Sequence, residues 1–271
     1  MTEQSPPLPP SDRPLAAVTG ASSGIGLEVA LVLARRGYDL ILNAEDDELD
    51  AAAAAVSSEG AHVRSVRGDL REPAEVDALH AAIVADGRPL EVMALNAGVG
   101  KGGAFVETEL SDELSIIELN VTSTVRLAKL VLRDMVARDS GRVLFTSSIA
   151  SEMPGSFQAI YNASKSFVQS FAEALQNELK DTSVTITSLM PGPTETEFFE
   201  RAGMMDTKMG QGEKDDPARV AEQGVEALLA GKPRVTGGGL KTRVQDIASK
   251  VTPDKVKAAM HRGMAEPGSG D

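Results

Sequence analysis

Leu15-Ala16-Ala17-Val18-Thr19-Gly20-Ala21-Ser22-Ser23-Gly24-Ile25-Gly26-Leu27 decides how this chain is read. A short apolar run stops at Thr19, a glycine-rich turn follows, and an Ala- and Leu-rich stretch at helical spacing begins at Gly26. That order reads as a buried strand, a tight turn and a helix start. Glycine permits the turn and lets backbone N–H groups come close to a ligand. The helix then presents its positive dipole end, which suits a pyrophosphate. The spacing is Gly-x-x-x-Gly-x-Gly rather than the commoner Gly-x-Gly-x-x-Gly of dinucleotide sites, so the motif draws its weight from its context.

Outward from this stretch, apolar runs alternate with helical stretches. The further runs are 39–43, 62–67, 90–96, 142–147, 184–190 and, more weakly, 234–236. The helical stretches are 26–36, 48–58, 73–85, 112–137, 157–180 and 217–229. The alternation predicts an α/β fold: a doubly wound, mainly parallel, seven-stranded sheet with helices on both faces. No repeat or linker divides the chain, so residues 13–262 are read as one domain. The tails 1–12 and 263–271, rich in Pro, Ser, Gly and acids, are expected to be disordered. The one long irregular stretch, 198–216, reads as a lid. Residues 240–264 read as helical through Val244, Ile247, Val251 and Val256.

Composition closes off several function classes. Lys and Arg total 27 against 40 Asp and Glu, a formal net charge of −13. Such a field repels nucleic-acid phosphates and anionic lipids, so neither nucleic acid nor membrane is an expected partner. The absence of cysteine excludes disulfides, thiolate metal sites and a thiol nucleophile. His62, His80 and His261 form no His-x-x-x-His pair and are read as ordinary surface or core residues, with no metal site. The polar, proline-rich start Met1–Arg13 does not read as a signal peptide. No apolar run approaches the roughly 18 residues of a membrane span. The expected location is the cytoplasm.

The chemistry centres on Tyr161 and Lys165, four residues apart on one face of an expected helix. A free tyrosine titrates near pH ~10, too high for an efficient base at neutral pH. A nearby ammonium would stabilise the phenolate and lower that value, and general acid–base work is most efficient when the pKa lies near the working pH. Ser148 lies thirteen residues upstream at a strand end, beside Ser147; strand alternation lets only one of the two face a substrate.

Taken together these motifs resemble the short-chain dehydrogenase/reductase family. The resemblance rests on Thr19-Gly20-x-x-x-Gly24-x-Gly26, Asp69-Leu70, Asn96-Ala97-Gly98, Asn120, Ser148, Tyr161-x-x-x-Lys165 and Pro191-Gly192-x-x-x-Thr196, in that order over roughly residues 14–236. It implies a Rossmann-type fold and a nicotinamide-dependent oxidoreductase that interconverts an alcohol and a ketone or aldehyde, with Tyr161 as general acid/base. Ser148 would polarise the carbonyl, Lys165 would hold the nicotinamide ribose, and Asn120 would position a water that links Lys165 to solvent. The dinucleotide would lie on Gly20, Ser22, Ser23, Gly24, Ile25 and Gly26. Asp69 and Leu70 would meet the adenine, with Asn96, Ala97 and Gly98 along the cofactor. Beyond Pro191 and Gly192, Thr194 and Thr196 would hold the carboxamide.

The acidic run Glu45-Asp46-Asp47-Glu48 bears on the choice of dinucleotide. Glu45 is nineteen residues beyond Gly26, where a carboxylate can accept from the 2′-hydroxyl of NAD and repel a 2′-phosphate. NAD(H) is therefore favoured over NADP(H), although Arg64 or Arg67 could reach a phosphate, and Asp46 or Asp47 could instead cap the next helix. Met153, Phe157, Phe198, Phe199, Met204 and Met205 are candidate pocket residues for a fairly apolar small molecule. The resemblance also implies a homodimer or homotetramer through the helices at 112–137 and 157–180. The alternative function is a catalytically silent dinucleotide-binding relative acting as a redox sensor or interaction protein; the presence of both Tyr161 and Lys165 counts against it.

Overall fold

The computed structural model describes residues 11–240, 242–244 and 252–270. Most of the tail expected at 1–12, together with Ile247 and Val251, lies outside the described residues. Seven strands form one sheet: β1 (Leu15–Thr19), β2 (Asp39–Ala44), β3 (Val63–Arg67), β4 (Leu90–Leu95), β5 (Gly141–Thr146), β6 (Val184–Pro191) and β7 (Arg234–Gly237). Their order is β3-β2-β1-β4-β5-β6-β7, and every pairing is parallel. Strands β1 and β2 are buried along their whole length, as the lack of alternation requires.

Helices α1 (Gly24–Arg35), α2 (Glu48–Ser58) and α9 (Pro217–Leu229) cover one face, and α3 (Pro73–Ala85), α5 (Thr124–Ala137) and α6 (Ala159–Glu178) the other. Val29, Leu33, Val220 and Val225 press on one side of the sheet, and Leu79, Val131, Met135 and Val168 on the other. Pro73 and Pro217 sit at first-turn positions, where the missing N–H costs nothing. Asp216 caps α9 by accepting from Ala218 N at 2.9 Å.

Three expectations differ from what forms. The helix expected over 112–137 is α4 (Leu110–Ile117), a π-helical turn over Glu118–Ser123, and then α5. One extra residue in that turn is what such bulges insert, and Asn120 sits in it. The helix expected from Phe157 starts at Ala159, because Phe157 has φ +63° and lies in left-handed space. The C-terminal stretch expected as a disordered tail continues the helix α10 (Asp254–Ala265) into turns that are pinned in place. Gly268 N donates to Asp206 Oδ2 at 2.8 Å, Gly270 N to Asp206 O at 2.9 Å, and Lys208 N to Ser269 Oγ at 3.1 Å.

Strand order reverses between β1 and β4, so the connections that leave their C-terminal ends run in opposite directions. Ligands in open α/β sheets bind in the crevice that such a switch point creates.

Candidate active site

The crevice is a cleft of about 800 Å³ at the C-terminal ends of β1, β2, β4, β5 and β6. Its floor is the glycine turn. Gly20 has φ +61° and Gly24 φ +55°, both in left-handed space. A Cβ on Gly26 would stand 1.9 Å from Gly20 O, so the turn closes only without a side chain there. Ser23 takes the N-cap position of α1 without a side-chain cap bond, leaving the helix N-terminus open toward the cleft. This cradle fits a pyrophosphate.

Of the other expected dinucleotide residues, Ser22, Ile25, Glu45, Asp69, Leu70, Ala97, Gly98, Pro191, Gly192, Thr194 and Thr196 line the same cleft. Asn96 lines it too, but its side chain is spent as a brace: Nδ2 donates to Thr19 O and Gly20 O at 3.2 Å, and Oδ1 accepts from Thr146 Oγ1 at 3.1 Å. Thr19 Oγ1 accepts from the amides of Asn96 at 3.0 Å and Ala97 at 3.1 Å, so Thr19, the first residue of the glycine motif, ties β1 to the β4 exit.

At the β2 exit the acidic run divides its labour. Asp47 is the N-cap residue of α2 and is drawn outward onto Arg67. Asp46 turns inward: its Oδ2 accepts from Ser22 Oγ at 3.0 Å, and its Oδ1 is buried with no partner. Glu45 and Asp69 both hold Arg71, the latter at 2.8 Å, and that guanidinium keeps the Asp69 carboxyl below its ordinary value against the opposing pull of burial. The two cations proposed to reach a phosphate do not come to the cleft. Arg64 is buried and donates to Ala82 O at 3.0 Å, while Arg67 is held outside by Asp47 and Asp50. Arg71 and Arg201, the latter 3.8 Å from Asp46, are the arginines near this corner.

The reacting end is built on β5 and α6. Ser147 faces the helix and donates to Lys165 O at 3.1 Å; Ser148 lines the cleft beside Tyr161, and its Oγ donates to Pro191 O at 3.4 Å. Ala150 N donates to Ser148 Oγ at 3.0 Å and fixes that rotamer. Lys165 is buried; its Nζ donates to Thr146 O at 3.0 Å and lies 5.9 Å from the Tyr161 ring centroid. The expected pKa logic is corrected here. Burial pushes the phenol of Tyr161 up to about 12, eased only by the Ser148 hydroxyl, and burial draws Lys165 down to about 8. At neutral pH Tyr161 therefore holds its proton. The Asn120 side chain is held by its neighbours: Oδ1 accepts from Val99 N, and Nδ2 donates to Val99 O, both at 2.9 Å, and to Ser164 Oγ at 3.0 Å. It ties the π-helical turn to the β4 exit and to α6.

Residues 14–207 match the short chain dehydrogenase family. The chain belongs to that family. It is 36% identical over 190 residues to a putative ketoacyl reductase of Streptomyces coelicolor, covering 68% of this chain and 72% of that one. It is 30% identical over 198 residues to the 3-oxoacyl-acyl-carrier-protein reductase of Escherichia coli, covering 70% and 80%. Among solved structures, a short-chain dehydrogenase from Sphingobium yanoikuyae in complex with NADPH superimposes with a TM-score of 0.78 at 29% identity, covering 88% of this chain and 93% of that one. A family member from Burkholderia phymatum in complex with NAD gives 0.77 at 25% identity, covering 89% and 96%. This short-chain dehydrogenase is thus a nicotinamide-dependent oxidoreductase working between CH–OH and C=O.

Its far end, past the reacting residues, is where sequence reading fell short. Met153, Phe198 and Phe199 line the cleft as expected. Met204 instead packs in a buried cluster with Phe199, Ala202 and Ala265, and Met205 is 52% exposed. Phe157 faces Arg262, whose guanidinium lies 5.0 Å from the ring centroid. Met209, Gln158, His261 and Met264 line the cleft unannounced. The stretch 198–216 holds two one-turn helices, α7 (Phe198–Arg201) and α8 (Lys208–Gln211), and α10 packs against α8. Among the described residues no helix is long and apolar enough to cross a membrane.

Proposed function

We propose that this short-chain dehydrogenase reduces the carbonyl of a small ketone or aldehyde, with Tyr161 as proton donor, Ser148 as carbonyl-polarising donor and Lys165 as the cation that steadies the phenolate left behind. The observation that carries this is the convergence of Ser148, Tyr161 and the buried Lys165 on one cleft beside the glycine cradle. The bound, reduced nicotinamide supplies the hydride. A substrate oxygen between the two hydroxyls accepts from Ser148 Oγ and Tyr161 Oη, and the Oη proton passes to it. Preorganised donors of this kind are among the larger catalytic contributions. Lys165 keeps its charge below about pH 8, so a phenolate formed during turnover meets an ammonium. The cradle of Gly20, Ser23, Gly24 and Gly26 would hold the pyrophosphate, and Thr194 and Thr196 the carboxamide end.

NAD(H) is the proposed dinucleotide. The unpartnered, buried Asp46 Oδ1 suits a ribose hydroxyl and repels a 2′-phosphate, and Arg71 is already engaged by Glu45 and Asp69. Asp46 thus takes the part first assigned to Glu45. Residues 198–216 would act as a lid, and a homodimer or homotetramer would cover the exposed Leu110, Leu114 and Ile117 of α4, which recur at helical spacing.

The test is the loss of NADH absorbance against a panel of ketones and aldehydes, comparing wild type with Tyr161→Phe. The variant should fall roughly 10²–10⁴-fold in kcat while retaining dinucleotide affinity. Undiminished turnover would remove Tyr161 from the reaction.

A further inference from the structure

The far end of the cleft is apolar apart from a few groups, and two of these are buried on its wall. His261, on α10, is 1% exposed and lines the cleft. Its Nδ1 lies 2.9 Å from Ser156 O. A carbonyl oxygen only accepts, so Nδ1 carries the proton, and the neutral ring offers Nε2 as an acceptor. Nε2 meets no protein partner among the described residues. Burial draws this imidazole below its ordinary value, with the Ser156 bond opposing, which keeps the ring neutral at pH 7. Gln158, two residues beyond that carbonyl, is 3% exposed, lines the same cleft, and has its side-chain NH2 buried without a partner.

The placement of His261 is held from several sides. Ser156 Oγ donates to Ala258 O at 3.3 Å, Lys257 Nζ donates to Glu152 O at 2.7 Å, and Arg262 covers Phe157. All three contacts clamp α10 to the segment 152–157 that leads into the helix of Tyr161. An acceptor on the cleft wall with no protein partner is open to a donor carried by a ligand.

We infer that His261 is a specificity-determining residue which recognises a hydroxyl on the substrate, remote from the reacting carbonyl. A hydroxyl answers its free acceptor by donating to His261 Nε2. The preferred substrate class is therefore a ketone with an apolar body and a distal hydroxyl. This inference rests on the reductase reading of the same cleft.

Benzylacetone and its para-hydroxyl analogue form a matched probe pair. Wild type should favour the hydroxylated ketone in kcat/KM by roughly three- to tenfold, mainly through KM, as one neutral hydrogen bond allows. His261→Asn keeps a donor for Ser156 O but has no acceptor at the Nε2 position, and should bring the ratio near one. His261→Gln, whose carboxamide reaches close to that position, should restore part of it. Circular dichroism and thermal unfolding of each variant exclude a misfolded sample. With only three histidines in the chain, the imidazole nitrogens can be followed by NMR in the dinucleotide-bound enzyme. The hydroxylated ketone should move Nε2 of His261 and leave His62 and His80 unmoved. A ratio that survives His261→Asn, or an unmoved His261 resonance, overturns the inference and leaves the reductase intact. Turnover of both ketones that survives Tyr161→Phe overturns the reductase reading itself.

Discussion

Replacing Lys165 by Met should separate what the buried amine costs from what it does. Nζ is buried with Thr146 O as its acceptor at 3.0 Å, and burial draws its pKa from the ordinary 10.5 to about 8. Between those two values the unfolded chain binds a proton that the native chain does not. Native stability contributed by this group therefore rises with pH across that window, and it is lost as pH falls through the folded value. Each pH unit inside the window is worth ~1.4 kcal/mol. From pH 8 to about pH 9.5 wild type should gain about 2 kcal/mol relative to Lys165→Met, in which this titration is absent. At pH 7 the whole shift, on the order of 3 kcal/mol, burdens wild type; the variant removes it but leaves Thr146 O without its donor, at a cost of about 1–3 kcal/mol. The variant should thus match or exceed wild type in stability at pH 7 while losing activity, and fall behind it at pH 9.5. Tyr161 interferes only above pH 10, where its raised value reverses the slope. Urea unfolding followed by circular dichroism is the suitable assay, since the chain has no tryptophan. A stability difference that stays flat between pH 7 and 9.5, or moves toward the variant, would refute the reasoning.

Other sites give simpler tests. Gly26→Ala places a Cβ 1.9 Å from Gly20 O and 2.5 Å from Asn96 Nδ2; it should cost about 1–3 kcal/mol by overpacking and weaken dinucleotide binding in calorimetry, and unchanged affinity would count against the cradle. Asp46→Asn removes the inward charge beside Ser22; the NADPH-to-NADH ratio of kcat/KM should rise roughly five- to tenfold, on the order of 1 kcal/mol of lost repulsion, and a constant ratio would return the choice to Glu45. Deleting residues 266–271 removes the bonds from Gly268, Gly270 and Ser269 to the lid stretch; limited proteolysis should then cut faster within 198–216, and an unaltered cleavage rate would show that the lid is held elsewhere.

Much of this molecule was legible in advance because its signals are local. Unbroken apolar strands and periodic helices report their own burial, and five of the seven motifs report the cleft because each sits at the end of a strand, while Asn120 and the Tyr161–Lys165 pair reach it from helices. What escaped depends on distance or on a single dihedral angle. The π-helical turn at Asn120 and the left-handed Phe157 leave the hydrophobic period nearly intact, so the pattern ran through them. The inward turn of Asp46 depends on Ser22 from another strand–helix connection. The bracing role of Thr19 escaped, although the residue opens the glycine motif, because its partners, Asn96 and Ala97, lie more than seventy residues away. The expectation for the Tyr161–Lys165 pair counted mutual charge and omitted desolvation, which dominates when both groups are enclosed. His261 carried no sequence signal: its site exists only once α10 folds back over the segment before Tyr161.

The pinned C-terminal turns have a practical side. Gly268, Ser269 and Gly270 sit against Asp206 and Lys208 at the mouth of the substrate end, so an affinity tag fused there would be grafted onto the doorway of the enzyme. A purification handle belongs at the other terminus, and libraries meant to retune substrate choice should diversify these last two turns before touching the glycine cradle.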